Sequence, residues 1–169
     1  YNFDVSGAQQ VLFTRCHARG GRHHYVSNGT SWTSGVVFHR STSEANYAPS
    51  EGHRRWTMGL LYDNVRELAP TEAKMIVLGL YNRGDYGTGH GWASVHSVAW
   101  AHDLADGVGI IQRPPTAQNY AIGGAGTFTG ATPPAPFEQP EGYIEGIGKP
   151  NLFPESLYER QLAERLCGH

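Results

Sequence analysis

The sequence predicts an all-β protein built as a parallel β-helix, a solenoid in which successive coils stack strand on strand. Short apolar runs recur about every 20–25 residues, a period typical of solenoids. The chain holds 22 glycines and 10 prolines among 169 residues, and only 17% of its residues are charged. A helical bundle needs more charged residues on its wet faces, so the composition also favours strands and turns.

Each apolar run is rich in β-branched residues and ends in an aromatic side chain, so each run predicts a strand. The aromatic positions are Phe13, Phe38, Tyr62, Tyr81 and Trp100, with a weaker sixth member at Tyr120. Two residues beyond the first five lie Arg15, Arg40, Asn64, Arg83 and His102. In-register stacking would place the aromatics in one column and the polar residues in a second column beside it. We expect the aromatic column to face the core. An exposed ladder that stacks sugars is the alternative.

The repeat ends at Gly126, and the following segment predicts a cover for the solenoid. Residues 127–154 contain six of the ten prolines, which is typical of extended chain laid over a surface. Residues 154–166 begin with proline and space their leucines at helical intervals, so they predict a short C-terminal helix.

These boundaries divide one domain into two parts. Residues 1–126 form the coils, and residues 127–169 form a covering tail with the terminal helix. The first strand of the coils would leave an unpaired edge. We therefore expect residues 1–126 to be the C-terminal part of a longer solenoid, with further coils or a partner chain on the N-terminal side. The two cysteines, Cys16 and Cys167, leave one long-range disulfide open.

Two of the runs, GLLYDN at 59–64 and LGLYNRG at 78–84, resemble coils of the pectate-lyase-like superfamily of right-handed parallel β-helices. The resemblance covers residues 9–125. It implies a right-handed helix, an extracellular or cell-surface location, and action on polysaccharides as a lyase, hydrolase, esterase or epimerase. Other members of the superfamily are adhesins or phage tailspikes. The resemblance also implies that catalytic residues lie on the outer face of one sheet and its loops.

The charge distribution excludes some partners and favours others. A net charge of −2 and a pI near 6.5 leave no basic footprint for nucleic acid. No apolar run approaches the ~18 residues of a membrane span. Residues 15–66 nevertheless hold seven arginines and no lysine, whereas residues 138–164 hold six glutamates. Arginine binds carboxylates and sulfates in a bidentate manner, so the first region suits an anionic ligand.

The candidate site lies in the loops of the first two coils, which are longer than the later ones. Loops from adjacent coils form the walls of a groove, and a Gly-His-x(1–2)-Trp element recurs at 52–56 and 89–92. The predicted catalytic residues are His24, Tyr25, His53, Arg54, Tyr86 and His90. The predicted substrate-binding residues are Arg22, His23, Tyr47, Glu51, Arg55, Arg83 and Trp92.

These residue types suit β-elimination on an acidic polysaccharide. Elimination at a uronate needs a cation on the carboxylate, a base for the C5 proton and an acid for the leaving oxygen. We expect Arg54 or Arg55 to neutralise the carboxylate and His53 or His24 to act as base. The acid would be Tyr25, Tyr47 or Tyr86. This chemistry needs no cofactor.

Three other functions remain open. A glycoside hydrolase would need two carboxylates about 5–10 Å apart, and the candidates are Glu51, Asp63, Asp85 and Asp103, with coil stacking bringing Asp63 near Asp85. A transition metal could bind His23 and His24 with His17 or His53, but the known metal-site spacings are missing from the sequence, so we expect no metal. A non-catalytic adhesin or assembly module would use the same residues as evenly spaced ladders.

Overall fold

The structure of the protein is a computed structural model, which describes residues 1–167. The chain is mostly strand, as expected for the all-β class. The strands are β1 (Phe3–Ser6), β2 (Leu12–Thr14), β3 (His17–Arg19), β4 (Tyr25–Asn28), β5 (Val37–His39), β6 (Thr42–Glu44), β7 (Ser50–Gly52), β8 (Thr57–Met58), β9 (Leu61–Asp63), β10 (Arg66–Ala69), β11 (Ile76–Leu80), β12 (Ser94–Val95), β13 (Val98–Trp100), β14 (Asp103–Ile111), β15 (Tyr120–Ile122), β16 (Ala125–Thr129) and β17 (Tyr143–Glu145). The helices are the single turn α1 (Tyr86–Gly89) and α2 (Leu157–Cys167).

The paired strands of the described residues run parallel, each strand beside its counterpart one coil along the chain. A six-stranded sheet has the order β17-β15-β13-β9-β5-β2, and β8 pairs with β12 in a small sheet. A nine-stranded sheet has the order β1-β4-β7-β11-β14-β10-β6-β3, with β16 also on β14. The long strand β14 pairs through Asp103 with β10 and through Val108–Ile111 with β11, so it joins two rows of strands into one sheet.

The core column of the six-stranded sheet contains three of the five predicted aromatics. Phe13, Phe38 and Tyr62 occupy one register, with ring centroids 5.5 and 5.3 Å apart. Phe38 and Tyr62 are fully buried, so this column faces the core, and the register continues through Ala99 and Ala121.

Tyr81 and Trp100 do not belong to this column, which corrects the prediction. Trp100 is paired with Asp63, one residue out of register, and Tyr81 follows β11 in the nine-stranded sheet. The apparent repeat at Tyr81 arises because the coil between Tyr62 and Ala99 is longer than the earlier ones and carries β11 of the nine-stranded sheet about midway. A similar apolar run in either strand looks the same in sequence.

The polar column is also only partly as predicted. Arg15, Arg40 and Asn64 follow strands of the six-stranded sheet, and all three adopt positive φ (54°, 46° and 55°). The next members are Ala101 and Gly123, also at positive φ, and not Arg83 or His102. Each residue donates its backbone N–H to a carbonyl oxygen of the next coil. The column therefore consists of left-handed turns, one per coil, each of which directs the chain from the six-stranded sheet into the next sheet.

The tail covers the coils on two sides. Strand β17 lies beyond the predicted boundary at Gly126 and pairs in parallel with β15, so the six-stranded sheet continues into the tail. The proline-rich segment around Ala135 packs on Tyr81, Val108 and Ile110. Helix α2 confirms the predicted terminal helix and lies against the outer face of the six-stranded sheet, across a groove of about 550 Å³.

Helix α2 begins on a buried carboxylate of the solenoid. Ser156 caps the helix by accepting the N–H of Glu159 at 3.1 Å. Asp63, which is fully buried, accepts the Ser156 hydroxyl at 2.8 Å and the Tyr158 N–H at 2.6 Å. An anion at a helix N-terminus is stabilised by the unpaired N–H groups and the helix dipole, so Asp63 fixes the start of α2.

We expect Asp63→Ala to release α2 from the sheet. The change removes the acceptor of the buried Ser156 hydroxyl and of the Tyr158 N–H, and loss of such an acceptor costs about 1–3 kcal/mol. Urea unfolding should show this destabilisation, and hydrogen exchange should accelerate within α2 more than in β9 or β13. The matched control is Asp106→Ala, at an exposed carboxylate. Unchanged exchange in α2 would show that Asp63 does not hold the helix.

The remaining expectations concern the cysteines and the membrane. Cys16 and Cys167 are both free thiols, so the possible long-range disulfide is not formed. Over residues 1–167, the helices are too short to cross a bilayer.

Candidate functional site

A cavity of about 690 Å³ opens beside the row β1, β4, β7 and β11. Loops that follow or precede these strands supply its walls, and Pro134 and Pro136 of the tail close one side. Four buried side chains from three successive coils line it, and a fifth, Glu51, is fully buried behind them, 2.5 Å from His53. This group, here called the Glu51 cluster, consists of His23, Glu51, His53, Arg83 and His90.

Glu51 lies at the centre of the cluster because of its place in β7. It is in register with Val26 on one side and Gly79 on the other. A Cβ on Gly79 would lie 2.1 Å from Cε1 of Tyr81, so only glycine lets the Tyr81 ring lie across the strand. The Tyr81 hydroxyl then donates to Glu51 Oε2 at 2.8 Å. Complete burial raises the pKa of Glu51 to about 7, although the charges of His23 and Arg83 oppose the rise.

His53 follows β7 directly and connects Glu51 to the cavity. Its Nδ1 lies 2.5 Å from Glu51 Oε1, and its Nε2 lies 2.9 Å from the Tyr1 hydroxyl. With Nδ1–H donating to the carboxylate, Nε2 carries the lone pair that accepts the Tyr1 O–H. Burial lowers the pKa of His53 to about 4, and the charges of Arg83 and Arg22 lower it further. The ring is therefore neutral at pH 7.

Arg83 bridges the backbone of His53 and the carboxylate of Glu51. Its NH1 donates to the His53 carbonyl at 2.9 Å and lies 3.4 Å from Glu51 Oε1. Its Nε is buried without a hydrogen-bond partner among the described residues. The guanidinium also lies over the Tyr86 ring, 5.9 Å from the centroid. Arg83 thus retains donor capacity for a ligand in the cavity.

His90 and His23 flank His53 on opposite sides. His90 Nε2 is 3.3 Å from His53 Nε2, and the ring fits because Gly87, at φ 59°, has no Cβ to meet it. His23 Nδ1 donates to the Pro49 carbonyl at 2.7 Å. Burial lowers the pKa of each ring to about 4. His23 Nε2 and His90 Nδ1 are buried and have no partner within residues 1–167.

The cluster has ligand atoms for a metal but the wrong charge. His23, Glu51 and His53 offer atoms that all lie within 4.8 Å of one another. The Arg83 guanidinium lies 3.4 Å from Glu51 Oε1, the oxygen that also faces His23 and His53. The guanidinium would repel a dication bound there. Arg22 and Arg54 also line the cavity. The site therefore suits an anion better than a metal ion.

The structure brings most of the predicted site residues together. The Glu51 cluster accounts for five of them, and three more line the cavity: Arg22, Arg54 and Tyr86. Arg54 Nε donates to Asn28 Oδ1 at 3.2 Å, which positions it at the cavity rim.

Five predicted site residues lie elsewhere, which corrects their assignment. Tyr25 is in the core, where its hydroxyl donates to the carbonyls of Cys16 and Thr42. His24 is buried against Ser43, with Nδ1 2.7 Å from the hydroxyl. Tyr47 stands exposed on the surface, Arg55 donates to the carbonyls of Thr88 and Gly89, and Trp92 is half-buried beside Asn82. Side chains alternate across a strand, so neighbours of a site residue in sequence often face the core.

The paired carboxylates of a hydrolase are not formed. Among the described residues, Glu51 is the one predicted carboxylate in contact with His53 and Arg83, which line the cavity. Asp63 accepts hydrogen bonds at the start of α2, Asp85 is exposed, and Asp103 lies 3.8 Å from Arg66. Asp63 and Asp85 were expected to approach each other because the prediction stacked Tyr81 on Tyr62. Tyr81 instead follows a strand of the nine-stranded sheet, so that prediction was wrong.

Two tyrosines of the site were missed in the sequence. The sequence pattern predicts Tyr81 in the core column, although its hydroxyl binds Glu51. Tyr1 is half exposed, contacts His23 and His53 with its ring, and belongs to no repeat that could have marked it.

Acid should destabilise the fold through its buried histidines. His23, His24, His53 and His90 have pKa values of about 4, against 6.5 in an unfolded chain. Between these values the unfolded chain binds protons that the folded chain excludes, so the free energy of unfolding falls as pH drops from 6.5 to 4. Glu51 opposes this between pH 7 and 4.5, but it is one group against four. We expect the Tm to fall steadily over this range.

The control for this prediction is His24→Asn, which removes one titrating ring away from the cavity. Its Tm should depend less steeply on pH. A Tm independent of pH between 6.5 and 4 would contradict the prediction.

Chemically, the cavity combines a neutral imidazole, a tyrosine hydroxyl and several arginines. Comparisons of the chain with protein-family models, curated proteins and solved structures gave no match.

Proposed function

We propose that the chain is a right-handed parallel β-helix of the pectate-lyase-like kind and acts as a lyase on an acidic polysaccharide. The parallel pairing of β2, β5, β9, β13, β15 and β17 in one register supports the fold. Parallel strands joined by crossovers are almost always right-handed. Such proteins act outside the cell, where polysaccharides occur, so we also propose an extracellular or cell-surface location.

The observation that carries the proposal is the chain of contacts from Glu51 through His53 to Tyr1, facing the arginines of the cavity. Glu51 fixes the His53 tautomer, which leaves Nε2 as a base beside the Tyr1 hydroxyl. Arg83 and Arg54 provide positive charge where a uronate carboxylate would bind. These arginines outnumber the one buried carboxylate, so the cavity carries a positive charge, opposite to that of such a substrate.

In the proposed reaction, an arginine neutralises the uronate carboxylate, which makes the C5 proton more acidic. His53 Nε2 takes that proton, and the C5–H electron pair becomes the C4=C5 double bond. The C4–O bond breaks, and the Tyr1 hydroxyl gives its proton to the leaving oxygen. The protonated His53 then returns a proton to Tyr1 over 2.9 Å, so both groups regain their starting state.

The low pKa of His53 is compatible with this role. It keeps the ring neutral and ready to accept a proton at pH 7. A bound carboxylate adds negative charge beside the imidazole and raises its pKa toward the working pH. Binding of the substrate would therefore make His53 a stronger base.

The test is a screen of pectin, alginate, glycosaminoglycans and ulvan with two readouts. Elimination produces an unsaturated uronate that absorbs in the ultraviolet, together with new reducing ends. We expect both signals on one substrate. New reducing ends without absorbance would indicate hydrolysis instead. Absence of both signals would favour a non-catalytic adhesin or assembly module.

A further inference from the structure

Two exposed tryptophans stand beside the cavity at equivalent positions of adjacent coils. Trp32 is 73% exposed and Trp56 is 36% exposed. Each directly precedes a fully buried threonine, Thr33 or Thr57, and the bridge between Ser34 and Met58 places these segments in register. Large indoles are seldom left this open on a surface, and two in neighbouring coils form one aromatic patch.

The corner that carries the patch is cationic and polar. Residues 28–35 and 53–59 contain Arg54 and Arg55 but no aspartate or glutamate. The corner is also continuous with the cavity, because Asn28 and Arg54 line the cavity and are hydrogen-bonded to each other at 3.2 Å. Trp56 lies two residues beyond Arg54, and Trp32 lies four residues beyond Asn28.

We propose that Trp32 and Trp56 form a subsite that stacks pyranose rings of an acidic polysaccharide, next to the sugar held in the cavity. The flat apolar face of an indole suits the C–H face of a pyranose, and the nearby arginines suit its carboxylates. The proposal rests on the proposed function, since the cavity would hold the neighbouring residue of the same chain. It makes the protein prefer long oligosaccharides over short ones.

The charge pattern favours a saccharide over a second copy of the protein. A stable protein interface buries about 1,000 Å² or more of total surface. Two indoles flanked by the guanidinium groups of Arg54 and Arg55 provide aromatic faces among cations instead. Such a mixture matches a ligand whose rings alternate with carboxylates.

The experiment measures binding by calorimetry with size-fractionated oligogalacturonates, oligoalginates and hyaluronan oligosaccharides. On at least one series, we expect the wild-type Kd to tighten with chain length beyond the disaccharide. Trp32→Ala and Trp56→Ala should each weaken binding of the longest oligomers by about tenfold, the factor for ~1.4 kcal/mol. Binding of the disaccharide should be unchanged. Trp56→Phe, which keeps an aromatic face, should restore most of the loss.

The matched control is Phe153→Ala, at an aromatic residue that is 80% exposed beside α2 and away from the cavity. Equal affinities for the wild type and both tryptophan variants would overturn the subsite, as would failure of all three series to bind. A wild-type dimer that the tryptophan variants convert to a monomer would make the patch a self-interface and also overturn it. Tryptophan-dependent binding without any unsaturated product would keep the subsite and refute the lyase.

Discussion

His53→Ala should lower kcat/KM on the responsive polysaccharide by about 10²–10⁴-fold, the usual contribution of a general base. The imidazole is the only group in contact with Glu51, Arg83, His90 and Tyr1 together, within the part of the chain that the structure describes. We expect Arg54→Ala, which removes charge from the cavity rim, to cost about 10²-fold or more.

Matched variants separate catalysis from folding. His53→Gln keeps a polar side chain of similar length and should fold while remaining inactive. His17→Ala changes an exposed histidine outside the cavity and should retain full activity. Tyr1→Phe should lower kcat far more than it raises KM, because the hydroxyl acts on the leaving oxygen. Wild-type turnover in both His53 variants would remove the Glu51 cluster from the mechanism.

The repeat in the sequence was sufficient to predict the all-β class, because each run places β-branched and aromatic residues at the interval of one coil. Phe13, Phe38 and Tyr62 show this directly, since they share a register and stack in the core. The prediction failed where the coil lengthened. Between Tyr62 and Ala99, a strand of the second sheet carries a run, LGLY, that resembles the runs of the first sheet. Local pattern identifies a strand but not the sheet it joins.

The candidate site was found because its residues are of unusual types for a loop. Arg83 lies 30 residues beyond His53 in the sequence, and coil stacking makes both of them neighbours of the buried Glu51. The sequence could not separate these residues from Tyr25 and His24, because the facing of a side chain depends on strand register. Tyr1 lies outside the repeat, so only the folded chain places its hydroxyl beside His53.

The second large effect that we expect concerns a polar pair inside the coils. Glu67 and His102 are both buried, with His102 Nε2 3.5 Å from Glu67 Oε1. None of their four side-chain polar atoms makes a hydrogen bond within the described residues. Their mutual contact is therefore the interaction that offsets the free-energy cost of removing both side chains from water. Removing one partner of a buried pair usually costs about 3–5 kcal/mol.

Glu67→Leu alone should therefore lower the free energy of unfolding in urea by about 3 kcal/mol, because His102 is left unpaired among apolar neighbours such as Tyr62. The double variant Glu67→Leu/His102→Leu removes both polar groups and should recover stability to within about 1 kcal/mol of the wild type, since apolar replacement of a buried pair is often neutral. Activity on polysaccharide should be unchanged in the double variant, because the pair lies outside the cavity. If the losses of the two single variants simply add in the double variant, the two side chains do not compensate each other and this account of the core is wrong.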